Sequence, residues 1–302
     1  MFVRIERSWR IFNNSLKVLA ENKKLVLFPI LSSIFIIIIA MLILGGGTAF
    51  FMLNPEAWQQ LVNSAKSTHE ATDGQADQIN NVLYVIILFA GYFLSFFMAT
   101  FFNVAFYSEI IQGLRGNPVF IKRGFAFALS KLASIAMWAL LAATVGTILK
   151  MLEERLGWLG QLIIKLIGLV WAVATIFAVP VIICNEDSFN PITNLKKSAG
   201  IITKTWGESL IGFLGLSVLS FLLDLPVILL TIVLAAVCFN AGIPALAIAV
   251  ICLGVIAMIV IGVLVKLTEH IYIASLYMYA TEGYLNQAYD EEVMLQPFKC
   301  KK

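Results

Sequence analysis

Two ionisable side chains, Lys165 and Asp224, sit inside stretches otherwise apolar enough for a bilayer. A charge at membrane depth is costly, so it marks a functional candidate and calls for a named partner. Lys165 follows Trp158 by seven residues, roughly 10 Å in from the outer end of its stretch. Asp224 follows Ser209 by fifteen, roughly 22 Å from the inner end, which leaves about 8 Å to the outer side of a 30 Å core. The sequence therefore predicts that Lys165 and Asp224 face the bundle interior at similar depth and interact, directly or through water. Pro226, two residues after Asp224, frees a backbone carbonyl one turn earlier and is expected to kink the helix and open a polar cavity. Pro180 is expected to kink the preceding apolar stretch. Snorkelling of Lys165 is the structural counter-reading.

Other reactive residue types form no catalytic pattern. His270 follows Glu269, but no nucleophile or second ligand lies near in sequence. His69 stands alone in a polar loop. Cys184, Cys238, Cys252 and Cys300 are scattered without a C-x-x-C pair, so neither a disulfide framework nor a zinc site is expected. P-loop, G-x-S-x-G and H-E-x-x-H motifs do not occur. Glu109, Glu186 and Glu269 each follow an apolar stretch and are expected to form a charged mouth or solvated helix ends. No catalytic activity, cofactor or metal is expected.

The elements that position these residues are apolar stretches. The chain has 302 residues, of which 60% are hydrophobic and 13% charged, and its mean hydropathy is +0.92. Soluble domains carry about a quarter charged residues, so the composition points to a membrane. A net charge of +3 leaves no nucleic-acid footprint. The expected fold class is all-α: a single membrane domain over 1–302, built as an integral bundle of six transmembrane helices. The spans are placed at about 25–53, 82–107, 132–149, 158–184, 209–239 and 244–265. An aromatic cytoplasmic helix and tail occupy 266–302. The first span reads as an uncleaved anchor, since its apolar core exceeds a signal-peptide h-region. Residues 54–81 make the one sizeable polar loop.

Basic amphipathic segments precede the spans. In residues 1–24, Phe2, Ile5, Trp9, Phe12, Leu16 and Leu19 fall on one helical face with Arg4 and Arg7 away from it, which suits a membrane–water interface. After the fourth span, Ile192, Leu195, Ala199, Ile202 and Trp206 share a face, with Lys197 and Lys204 opposite. Arg4, Arg7, Lys122, Arg123, Lys196, Lys197 and Lys204 are the candidate contacts to anionic lipid or a partner, each worth on the order of 1 kcal/mol at a charged surface. Seventeen Lys and Arg fall on one side of the alternating spans and three on the other. That bias puts both termini on the cytoplasmic side.

A gap-free shift of 73 residues aligns Asn117-Pro118 with Asn190-Pro191, Arg123 with Lys196, Ala126 with Ala199, and Ser130-Lys131 with Thr203-Lys204. Asn before Pro suits helix initiation in both copies. The implied architecture is three hairpin units, each a basic interfacial helix followed by two spans.

The segments Ser8-Trp9-Arg10, Phe28-Pro29, Asn103-Val104-Ala105, Trp138–Gly146 (WALLAATVG), Leu152–Arg155, Val179–Val181, Thr205–Glu208 and Leu276–Ala280 run through nearly the whole chain. Through them it resembles an uncharacterised family of bacterial six-helix inner-membrane proteins. It is more loosely similar to the membrane domain of some glycerophosphodiester phosphodiesterases. The resemblance implies six helices and carries over no functional residue. The expected function is a non-catalytic structural or accessory membrane subunit that binds membrane lipid, a partner protein or another copy of itself. The alternative is a transporter or permease whose polar pathway passes Lys165 and Asp224.

Overall fold

The computed structural model describes residues 2–35, 74–185, 188–204 and 206–289, with isolated positions between 37 and 59. Among them the regular structure is helical. In chain order the helices are α1 (Phe2–Glu21), α2 (Gly74–Leu114), α3 (Ile121–Ser130), α4 (Leu132–Arg155), α5 (Trp158–Ala174), α6 (Ala178–Cys184), α7 (Pro191–Lys204), α8 (Trp206–Asn240) and α9 (Pro244–Glu282). A 3₁₀ turn at Lys23–Val26 leads from α1 into a helical stretch over 27–35. Among the described residues, five segments are long and apolar enough to cross a membrane: Leu88–Leu114, Leu132–Arg155, Trp158–Cys184, Val218–Asn240 and Pro244–Glu282. Beyond residue 35, most of the first expected span lies outside the described residues, as do most of the polar loop, His69, Glu186 and Cys300.

Buried side chains gather at one end of the spans, the end that carries the short basic helices. They come from residues 104–114 of α2, 134–143 of α4, 177–182 around α6, 201–202 of α7 and 265–278 of α9. We call this the basic end and its opposite the far end. Towards the far end the spans are bare: 6% of the apolar window of α8 and 11% of that of α9 are buried.

α9 explains the asymmetry. Its 39 residues make a rod about 58 Å long, twice the thickness of a hydrocarbon core. The half nearer Pro244 is exposed on most faces. The half from Val265 to Met278 is enclosed, with Leu267, Ile271, Tyr272, Ala274, Leu276 and Met278 almost fully shielded. The segment expected to be a cytoplasmic aromatic extension is thus the central helix of the core. Gly283 ends it in the left-handed conformation at φ +65°, its amide donating to the Tyr279 carbonyl and that of Tyr284 to Met278.

α1 packs on α8 and α9. Its enclosed stripe is Ser8, Ile11, Phe12, Ser15, Val18 and Leu19, and Trp9 stays 45% exposed. The expected stripe is therefore rotated, because the hydroxyls of Ser8 and Ser15 are needed inside. Ser15 meets the Tyr289 hydroxyl at 2.6 Å. Burial pushes the Tyr289 phenol up, opposed by that bond.

The two copies of the 73-residue shift agree in part. Ser130 donates to the Phe127 carbonyl and Thr203 to that of Gly200, matched positions making the same bond. Asn190 caps α7, its Oδ1 accepting from the amides of Ile192 and Thr193. Asn117 does not cap: its side chain donates to Gln112, and α3 starts at Ile121. The difference follows from Glu109, which takes the Phe120 amide that a cap would otherwise serve.

Candidate functional site

The basic end is held by polar side chains that span different helices. Glu109 on α2 is 1% exposed, and its carboxylate accepts Nε and Nη2 of Arg123 at 2.7 Å and the Phe120 amide at 2.8 Å. The glutamate expected to line a mouth or end a helix in solvent is a buried acceptor with its charge matched. The bond lifts the Arg123 guanidinium further above its already high range. Gly124 makes this contact feasible: a Cβ there would meet the Ala105 carbonyl at 2.7 Å and Phe28 at 3.0 Å.

Glu269 on α9 is likewise buried and takes both its hydrogen bonds from Lys266, at 3.0 and 2.8 Å. The Tyr107 hydroxyl and His270 Nδ1 lie 2.8 Å apart. Arg115 pairs with Glu282 at 2.8 Å. These two pairs set α2 and α9 side by side and parallel, 107 level with 270 and 115 with 282. The last exposed carbonyl of α2, Leu114, is closed by Tyr284 and Asn286.

The fourth span is broken, not merely bent. It stops at Ala174 and restarts at Ala178, two residues before Pro180. Pro180 cannot donate to residue 176 and its ring crowds that carbonyl, so the turn opens there. Ser198 of α7 patches the opening, donating to the Ala174 carbonyl at 2.6 Å and accepting the Phe177 amide at 3.1 Å. Asn194, one turn earlier, donates to the Ser188 carbonyl. The face α7 turns inward is thus Asn194, Ser198, Ile201 and Ile202, whereas Ile192, expected on the apolar face, is 55% exposed. α8, by contrast, continues as one helix through Pro226.

The structure does not bring Lys165 and Asp224 together. α5 packs on α4 and α7, while α8 packs chiefly on α9 and α1. Lys165 is exposed and no ion pair or hydrogen bond joins it to Asp224. Asp224 is half-buried, with Oδ2 3.4 Å from the Ser220 hydroxyl and Oδ1 shielded without a partner. Their depths differ too. A Cβ on Gly254 would run into the Thr231 side chain, which pairs 254 with 231 in the antiparallel α8–α9 hairpin. That register puts Asp224 level with Ile261, about 7 Å from Lys266 along the axis and near the basic end. Lys165 is near the far end. The expectation counted depth from Ser209, whereas the Gly254–Thr231 register sets Asp224 by its distance from the α8–α9 turn.

The basic residues expected to meet lipid divide into two sets. Lys122, Lys196 and Lys204 are exposed and, among the described residues, make no ion pair. Arg123 is committed to Glu109, and Lys197 donates to Asn185. Arg4 and Arg7 lie in the first two turns of α1, where side chains fall outside the described residues. Exposed apolar groups accompany the free lysines, with Phe120 and Leu129 on α3 and Phe189 and Ile192 beside α7. Among the described residues no group of three His, Cys, Asp or Glu side chains could hold a metal ion.

Besides a pocket of about 330 Å³ lined by Lys23, Lys24, Pro118 and Val119, two crevices among the described residues open at this end. One, of about 430 Å³, lies between the stretch 27–35, α2 and α9. The other, of about 300 Å³, is lined by the Glu109–Arg123 and Arg115–Glu282 pairs, whose charges cancel. Neither is lined by Lys165 or Asp224.

Apolar helices of spanning length, closed at one end by a stitched polar core, define a multi-pass membrane protein. Its chain belongs to a family of unknown function, DUF6159, whose model matches residues 82–287. No curated protein and no solved structure matches it.

Proposed function

We propose that the protein is a non-catalytic structural or accessory subunit of the bacterial inner membrane. It crosses six times with both termini in the cytoplasm, and its basic end rests on anionic lipid or a partner protein. The observation that carries this reading is the gathering of the basic segments at one end. There the Lys122, Lys196 and Lys204 ammoniums stay free beside exposed Phe120, Leu129, Phe189 and Ile192. Free cations next to apolar side chains suit a headgroup surface, each cation contributing on the order of 1 kcal/mol. The bare far half of α8 and α9 is left to lipid, a partner or a second copy. The permease alternative rested on a Lys165–Asp224 pathway, which the helix arrangement does not assemble.

The test has two readouts. In a cysteine-free background, Lys196→Cys is expected to react with an impermeant thiol reagent only in inverted vesicles, and Lys150→Cys only in right-side-out cells. Labelling of both from one side overturns the topology. In gentle detergent extracts, the triple variant Lys122→Glu, Lys196→Glu, Lys204→Glu is expected to lose co-purifying anionic lipid or protein that mass spectrometry finds with wild type. An unchanged complement overturns the role of the basic end.

A further inference from the structure

The larger crevice has a layered lining. Phe28 and Phe106 meet as a tilted pair with ring centroids 5.5 Å apart. The 27–35 stretch and α2 run in opposite directions, so Ser32 and Ser33 come level with Phe102 and Asn103. The Tyr107–His270 bond makes α2 and α9 parallel, which sets Asn103 level with Lys266. Ser32, Ser33, Asn103 and Lys266 therefore form one polar belt, with His270 one turn nearer the basic end. On the other side of the belt, towards the far end, Ile259 and Val263 continue the lining as an apolar slot.

The belt has unused hydrogen-bonding capacity. Among the described residues, the side chains of Ser32, Ser33 and Asn103 make no hydrogen bond, and they face the crevice. His270 spends only Nδ1, on Tyr107, and Lys266 remains 65% exposed while holding Glu269. Unpaired polar groups at membrane depth cost free energy unless a ligand or water serves them. Lys266 is the one charged side chain in the lining, and it is a cation.

We propose that this crevice binds a single phospholipid of the leaflet at the basic end. Its anionic phosphate sits in the Ser32–Asn103–Lys266 belt, and its glycerol and first methylenes lie along Ile259 and Val263. The volume of about 430 Å³ suits a headgroup and glycerol, and falls within the range of small-molecule sites. Entry is sideways from the bilayer, between the 27–35 stretch and α9. The inference rests on the reading of these helices as spans and is independent of the free lysines of α3 and α7.

Gly262 gives a clean test. It lines the crevice, and a Cβ there would meet nothing within 4 Å, so Gly262→Leu fills the slot without a backbone clash. Gly168 on α5 is equally open and serves as the control. The full chain in neutral detergent is titrated with phosphatidylglycerol, phosphatidylcholine or inorganic phosphate and read by native mass spectrometry. Wild type and Gly168→Leu are expected to retain one phosphatidylglycerol in preference to phosphatidylcholine. Gly262→Leu and Asn103→Ala are each expected to weaken that binding about tenfold or more, with an unchanged circular dichroism melt. If Gly262→Leu misfolds, Asn103→Ala decides. Undiminished retention in the folded variants overturns the site. Equal retention of phosphatidylcholine overturns the anionic preference, and displacement by inorganic phosphate assigns the belt to the free ion. The α3 and α7 charge variant is expected to keep this one lipid, which separates failure here from failure of the subunit reading.

Discussion

The same helix, α9, meets two environments. From Val265 to Met278 it is enclosed by protein and tied to α2 by the Tyr107–His270 bond; from Pro244 to Val260 most of its large apolar side chains are exposed. Both halves are strongly apolar, so hydrophobicity does not distinguish them. The difference is what surrounds them: short helices α1, α6 and α7 close over the basic end, and nothing comparable covers the far end among the described residues. Order in this protein is concentrated where charge and hydrogen bonding are available, while the far half relies on its own α8–α9 contact.

The largest expected effect comes from truncating each half in turn. Tyr272→Ala removes a side chain that is 1% exposed at the centre of the enclosed half, and should cost about 4 kcal/mol of unfolding free energy in mixed micelles. Leu230→Ala on the far half of α8 removes one that is 61% exposed, and should cost less than about 0.5 kcal/mol. Comparable losses at the two positions would mean that the far half is covered by a partner in the preparation.

Next is the buried carboxylate. Arg123→Ala strips Glu109 of two of its three donors and leaves a charge enclosed, so a loss of about 3 kcal/mol is expected. Replacing both partners by Glu109→Gln with Arg123→Met should recover part of it, since no charge is then left unpaired. A double variant as unstable as the single would show that Arg123 acts through Phe120 and Pro118 instead.

Glycine substitutions should change sign between the ends. Gly124→Ala presses a methyl against the Ala105 carbonyl and should destabilise by about 2 kcal/mol. Gly168→Ala meets open space within α5 and should stabilise by about 0.5 kcal/mol through helix propensity. Thermal melts of the two variants in one detergent read both signs.

These contrasts also show what the chain could and could not tell before folding. The apolar stretches and the gathering of Lys and Arg are one-dimensional signals, and Trp158–Cys184 and the Pro244 start came out where periodicity and punctuation put them. The enclosed half of α9 was hidden because an all-round apolar helix reads alike whether lipid or protein surrounds it. Ser198 and Asn194 were hidden for the opposite reason: polar residues on a basic helix suggest an outward face, and their targets at Ala174 and Ser188 are set by the break before Pro180. His270 looked solitary because Tyr107 is 163 positions away. Asp224 was placed near Lys165 by counting from Ser209, and only the Gly254–Thr231 contact supplies the register that moves it to the other side of the hairpin.

The smallest effect tests whether the corners follow the same division. At the basic end Asn190 caps α7 with two amides, so Asn190→Ala should cost about 1 kcal/mol. Asn117, its partner at the 73-residue shift, caps nothing and bonds only Gln112 on the surface, so Asn117→Ala should cost a few tenths at most. At the far end α5 starts at Gly157 with no side-chain cap, in an extended conformation with open space around it. Gly157→Ser should therefore gain a few tenths of a kcal/mol by supplying the missing acceptor. Denaturant melts of the three variants separate the cases. Equal losses for Asn190 and Asn117 would mean that both positions cap, whereas the expected inequality leaves capping to Asn190 and the Phe120 amide to Glu109.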